Sequence, residues 1–209
     1  MATEISYLPQ LVYENVIKFL EFPQYRNLKV AEKDRLNPTE FVEKVIRQQY
    51  IVINANDSNG HSVSVIVFNS GYNAFTHDGK KISNLIKTVG KSDEIILVIQ
   101  DEISTSIRNA IDEVSDKKDV KIYQYQLFTA ELPIVLGVPQ HRILRGSERE
   151  AILSDIKVRP SELPSVLDTD PQIVWIGGKA GDIVQILRTD GRGISEFYRY
   201  VIRGVQIKK

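Results

Sequence analysis

Glu94-Ile95-Ile96-Leu97-Val98-Ile99 carries one charge at its start and no polar alternation after it. A strand with one wet face alternates apolar and polar side chains, so this unbroken apolar run predicts a strand covered on both faces. Such a strand needs a layer above and a layer below. Upstream, Tyr50-Ile51-Val52-Ile53 and His61 to Phe68 read as strands joined by the hairpin loop Asn56-Asp57-Ser58-Asn59-Gly60. Lys81 to Val89 reads as a helix closed by Gly90. A helix over Ser106 to Val114 and a strand over Val120 to Phe128 follow the apolar run. Further upstream, Leu8, Leu11, Val12, Val16, Phe19 and Leu20 fall on one side of a helical repeat. Asn37-Pro38-Thr39-Glu40 opens a second helix, with Asn37 as cap, Pro38 at the first helical position and Glu40 completing a capping box. Its expected buried stripe is Phe41, Val42, Val45 and Ile46. The alternation of helix and strand predicts an α/β layer with some parallel pairing.

The pattern stops between Pro133 and Pro139, where two prolines and Gly137 mark a linker or sharp turn. We therefore divide the chain into residues 1–137 and 138–209. The second part opens with Ser147-Glu148-Arg149-Glu150, another expected capping box, on a helix with Ile152, Leu153 and Ile156 on its apolar face. Pro160 and Pro164 confine Ser161-Glu162-Leu163 to a turn or extended segment. Asp170-Pro171 starts a short helix that ends at Gly177-Gly178. Two long strands, Asp182 to Arg188 and Phe197 to Ile207, joined by Thr189-Asp190-Gly191-Arg192-Gly193, close the chain. A unit this small sits near the lower limit for a self-sufficient core and leans on a partner.

The 209 residues hold 27 basic and 27 acidic side chains, so the net field does not draw nucleic acid by itself. Residues 1–137 hold 15 basic and 18 acidic residues, net −3, and residues 138–209 hold 12 and 9, net +3. No cysteine is present, which excludes disulfides, thiolate metal sites and a cysteine nucleophile. The N-terminus lacks a basic region backed by an apolar run, and no stretch approaches membrane-spanning length, so a protein with neither signal peptide nor membrane contact is expected.

A search for catalytic chemistry finds little. His61, His77 and His141 are widely separated and form no metal-ligand spacing. Asp168 and Asp170 suggest Mg²⁺, but Asp170 precedes a proline at a helix start and is explained by capping. In Gly177-Gly178-Lys179-Ala180-Gly181-Asp182 the lysine is followed by alanine and the segment runs from helix to strand, so it fails as a phosphate loop. Gly191-Arg192-Gly193 lacks the third glycine of a dinucleotide site, and no Gly-x-Ser-x-Gly elbow exists. Expected cofactors, metals and catalytic residues are therefore none. A Mg²⁺-dependent nuclease-like enzyme is the alternative, with Asp93, Glu94 and Asp101 as its carboxylates. Adjacent residues on a strand point to opposite faces, which counts against Asp93 and Glu94 sharing an ion.

Val138-Pro139-Gln140-His141, the acidic box on the following helix, Leu163-Pro164, Asp170-Pro171, Gly177-x-Lys179-x-Gly181, Val184-x-Ile186 and Arg188 form an ordered, regularly spaced set. Over roughly residues 138 to 203 this set resembles the C-terminal domain of the fifth subunit of eukaryotic DNA-directed RNA polymerases, a domain that by itself makes up the archaeal counterpart. The run Val174-Trp175-Ile176-Gly177-Gly178-Lys179 is most similar to versions from large cytoplasmic DNA viruses. Upstream, the layout resembles the jaw domain of the eukaryotic protein, absent from the archaeal one. Two positions depart from the family: Arg188-Thr189-Asp190-Gly191-Arg192 replaces a usual Arg-Pro-Ser-Glu-Thr, and Thr105 stands where a proline is usual.

The resemblance implies an α/β N-terminal jaw-like domain plus a small α+β C-terminal assembly domain. It implies a non-catalytic subunit that packs on the largest polymerase subunit, near the sixth, and places a jaw beside downstream duplex DNA without reading its sequence. Ser104, Thr105, Ser106 and Arg108 would form the DNA-proximal loop, where hydroxyls and helix-start N–H groups suit phosphate. Trp175, Arg188, Tyr198, Arg199 and Tyr200 are the expected interface residues, since aromatic and arginine side chains dominate hot spots. Homo-oligomerisation is not expected. The site of action is the host cytoplasm and virion for a viral protein, or the nucleus for a cellular one.

Overall fold

The computed structural model describes residues 7–22, 26–48, 50–68, 79–89, 91–100, 105, 109, 111, 113, 119–135, 137–191 and 193–204. The chain divides into two units, Met1–Pro23 with Asn27–Ala130 and Gln24–Arg26 with Glu131–Lys209.

The first unit contains α1 (Tyr7–Glu21), β1 (Lys29–Val30), α2 (Pro38–Gln48), β2 (Tyr50–Asn56), β3 (Ser62–Phe68), α3 (Gly79–Val89), β4 (Glu94–Ile99) and β5 (Asp119–Gln124). Its sheet runs β1-β2-β3-β4-β5. β2 and β3 form the antiparallel hairpin, and β3, β4 and β5 are parallel. All six residues of β4 are buried, as a parallel strand between two layers requires. Ile95, Leu97 and Ile99 join Ile82, Leu85 and Ile86 of α3 in one apolar cluster, with Ile66, Phe68 and Ile111. On the opposite face, register places Ile51 beside Val67, Ile53 beside Val65, and Val65 and Val67 beside Ile96 and Val98. α1 packs on β3, burying Val12, Val16, Phe19 and Leu20.

At the head of α2 the Asn37 and Glu40 side chains each accept the other residue's backbone N–H at 3.0 Å, the reciprocal cap expected from sequence. Phe41 and Val45 are buried, but Ile46 is 63% exposed. At about 100° per residue, Ile46 stands a full step off the Phe41–Val45 stripe. The strand expected over 120–128 stops at Gln124, and Tyr125–Phe128 form a 3₁₀ turn. The turn is anchored by the Tyr125 hydroxyl on the Phe68 carbonyl and by Phe128 meeting Phe19 edge-on at 5.3 Å. Asn15 Nδ2 donates to the Phe128 carbonyl at 2.8 Å.

The second unit contains β6 (Gln140–Leu144), α4 (Gly146–Ile156), β7 (Ser165–Leu167), α5 (Pro171–Trp175), β8 (Ile183–Asp190) and β9 (Gly193–Ile202). Its sheet order is β6-β8-β9-β7, with only the β7–β9 pair parallel. Ile173, Ile176, Val184, Ile186 and Val201 form its core, flanked by Ile143 and Val166. Asp170 caps α5 as expected, accepting from the N–H of Gln172 at 2.9 Å. The capping box expected at Ser147 does not form. α4 starts at Gly146 behind Arg145 with no side-chain cap, so Ser147 lies inside the first turn and not at its head; both Glu148 oxygens accept from Arg142 Nη1, at 2.7 and 2.9 Å. β6 and β7 were not expected from the sequence, and the closing hairpin is tighter than expected. Asp190 pairs directly with Gly193, which at φ +142° adopts a backbone that suits glycine. β9 ends at Ile202, where the chain turns so that the Gly204 N–H reaches Asp168 Oδ1 at 2.7 Å.

Candidate interaction surface

Side chains alternate across the second sheet, so with Val184, Ile186 and Val201 in the core, Gln185, Glu196 and Tyr198 share the other face. Register sets Arg142, Gln185 and Tyr198 on one rung across β6, β8 and β9. Gln185 is 6% exposed and fully engaged: its Oε1 accepts from Arg142 Nε at 3.1 Å and Nη2 at 2.6 Å, and its Nε2 donates to Glu196 Oε2 at 3.0 Å. The Tyr198 hydroxyl donates to the same Glu196 oxygen at 2.5 Å. That hydroxyl, and then the Gln185 amide, hold the Glu196 carboxyl below its usual range, while the bond to Glu196 pushes the Tyr198 phenol up. The chain of polar contacts fixes the sheet surface and offers no nucleophile or base. Arg142, Glu148, Gln185 and Glu196 were missed in the sequence because the pairs lie far apart in the chain; the signal was a polar Gln185 within an apolar strand.

Among the residues expected at an interface, Trp175 is fully buried in the chain, so it shapes packing and offers no surface. Tyr198 and Tyr200 are half-buried. Arg199, also half-buried, donates from Nη1 to the Ser165 carbonyl at 3.0 Å, tying β9 to β7. Arg188 is exposed, its guanidinium carbon 4.9 Å from the centroid of the Phe197 ring. The structure thus joins Arg188 to Phe197 and Tyr198 to Glu196. Large exposed apolar side chains gather in this unit: Ile134, Val135, Leu167, Ile194, Phe197 and Ile202. Among the described residues only Ile46 is comparable in the first unit. Leu167 and Ile202 are register partners and make one patch.

Of the residues expected near nucleic acid, Ser104, Ser106 and Arg108 lie outside the described residues, while Thr105 is helical and exposed. Two of the three carboxylates of the nuclease alternative, Asp93 and Glu94, are otherwise engaged. Asp93 Oδ2 accepts the Ser62 N–H and hydroxyl, each at 2.8 Å, which holds its carboxyl below the usual range. Glu94, buried, pairs with Lys121 Nζ at 3.0 Å, and Asp101 lies outside the described residues. Among the described residues no group of three His, Asp or Glu side chains converges to hold a metal ion, and no helix is long and apolar enough to cross a membrane. His141 Nδ1 lies 2.7 Å from the Pro139 carbonyl, a local contact.

With this geometry in view, known proteins divide by how much of the chain they match. The family described as RNA polymerase Rpb5, C-terminal domain, matches residues 135–201. The DNA-directed RNA polymerase RPB5 homolog of African swine fever virus (isolate Warthog/Namibia/Wart80/1980) is 29% identical over 177 residues, covering 80% of this chain and 85% of that protein. That span is longer than the C-terminal unit and so extends into the N-terminal one. The DNA-directed RNA polymerase subunit Rpo5 of Pyrococcus horikoshii is 33% identical over 90 residues, 43% of this chain and 98% of that protein. The Rpo5 of Thermococcus onnurineus is 36% identical over 80 residues, 38% and 92% respectively.

Proposed function

The chain belongs to the Rpb5/Rpo5 family of DNA-directed RNA polymerase subunits, and from that premise we propose that residues 138–209 anchor it to the largest polymerase subunit, near the sixth, while residues 1–137 act as a jaw beside downstream duplex DNA. It is an accessory subunit in transcription and not the catalytic one. It acts where its polymerase transcribes: host cytoplasm and virion for a viral enzyme, nucleus for a cellular one.

The observation that carries the assignment of roles is the crowding of exposed apolar side chains into the second unit, within and beside the segment matched by the family. Apolar surface of this kind marks protein–protein contact. The jaw reading rests on a 29% identical viral relative that covers both units and on the exposed helical Thr105. DNA held there would be gripped through phosphates and not read. Co-purification tests the division of labour. Full-length chain should elute stoichiometrically with the two largest polymerase subunits, and a 1–137 fragment should not. A fragment that assembles as well as the full chain would reverse the roles given to the two units.

A further inference from the structure

Strand β6 ends its pairing at Leu187, and β7 pairs β9 only from Tyr200 onward. Among the described residues, Arg188 to Asp190 and Gly193 to Ser195 therefore form a two-stranded ribbon with no neighbouring strand on either side. Two strands alone are marginal in water and are held by what packs on them. Nothing covers this ribbon among the described residues: Arg188, Thr189, Gly191 and residues 193–197 are all exposed. Ile194, next to the turn, is 70% exposed, and Phe197 at the base is 45% exposed. Arg188 lies across the Phe197 ring, and no carboxylate among the described residues pairs with it. A guanidinium stacked in this way keeps its N–H groups directed outward from the ring edge, where they fit a carboxylate.

We propose that the ribbon is a wedge that seats in an apolar groove, edged by a carboxylate, on another protein subunit of the polymerase. The inference rests on the reading of residues 138–209 as the assembly unit and names the element that enters the partner. Charge and shape favour protein over nucleic acid. Ile194, the more exposed of the ribbon's two large apolar side chains, offers a phosphate nothing, and the Glu196 carboxylate at the base repels phosphates.

The test uses the full chain assembled into the polymerase. A photo-crosslinking amino acid at position 194 should capture a polypeptide subunit. Ile194→Asp and Arg188→Glu should each lower retention in the complex, the former by about thirtyfold, as loss of a hot-spot residue does. The melting temperature of the free chain should stay unchanged, because both positions lie outside the core. A crosslink to nucleic acid, no crosslink, or normal retention of both variants overturns the wedge if the 1–137 fragment still fails to assemble. If that fragment assembles normally, the underlying assignment of the second unit falls as well.

Discussion

Replacing Trp175 with alanine tests whether this residue is a partner contact or a packing element. It is fully buried at the end of α5, and Phe197, by comparison, is already 45% exposed. Truncating a buried tryptophan costs about 3–5 kcal/mol. Phenylalanine burial contributes about 1.5–3 kcal/mol when complete, so Phe197→Ala should cost about 1 kcal/mol. With a urea dependence of about 2 kcal/mol per molar, the midpoint should fall by about 2 M for Trp175→Ala and about 0.5 M for Phe197→Ala. Hydrogen exchange of β8 and β9 peptides across a urea series reads the second unit alone, and it avoids the fluorescence of the single tryptophan that the substitution removes. Trp175→Phe should recover part of the loss. Assembly of Trp175→Ala should then fail in proportion to the unfolded fraction. If Trp175→Ala assembled poorly while its midpoint moved no further than that of Phe197→Ala, the packing argument would be refuted and tryptophan would be a contact after all.

Other expectations concern single groups. Asn37→Ala removes the reciprocal cap of α2 and should cost about 1 kcal/mol, with Asn37→Asp retaining most of it, by thermal denaturation. At Gly178 an added Cβ would meet Ile173 Cγ2 at 2.6 Å, so Gly178→Ala should destabilise by about 1–3 kcal/mol, whereas Gly191→Ala, with open space around it, should be near neutral. Asp93, Glu162 and Glu196 are held below their usual range by Ser62, by Arg159, and by Tyr198 with Gln185. Their stabilisation is complete above the unfolded values of about 4 and fades as pH falls through the folded ones, so the melting temperature of Glu196→Gln should approach that of wild type between pH 6 and pH 3. A variant carrying Thr105→Glu and Arg108→Ala should assemble normally yet form shorter-lived elongation complexes on any sequence, with a salt slope reduced by about one unit for each phosphate no longer engaged.

Much of the first unit was legible because local chemistry and tertiary demand agree there. β4 announced its two covered faces by the absence of polar residues, and Asn37 with Glu40 announced a helix start that forms as read. The second unit was less legible. β6 is five residues of half-polar sequence and β7 only three, and each becomes a strand because β8 or β9 lies beside it. Ser147 to Glu150 reads as a cap in isolation, but the helix begins at Gly146 behind Arg145, which leaves Ser147 inside its first turn. The candidate surface divided in the same way. Aromatic and arginine content pointed to β9, yet only the three-dimensional arrangement separates buried Trp175 from exposed Phe197 and reveals the Arg142–Gln185–Glu196 contacts.

The strand order of the second sheet also dictates when it can form. β6 pairs only with β8, and β7 only with β9, so the two strands made first have no neighbour until the two made last exist. At about 5–20 residues per second, the segment from β6 onward waits seconds during synthesis with its apolar side chains unpaired. Completion of this unit therefore waits for β9, the last of its four strands to be made. A premature stop at the start of β9 leaves a chain whose first unit has every strand it needs and whose second has β6 beside β8 but β7 with no partner.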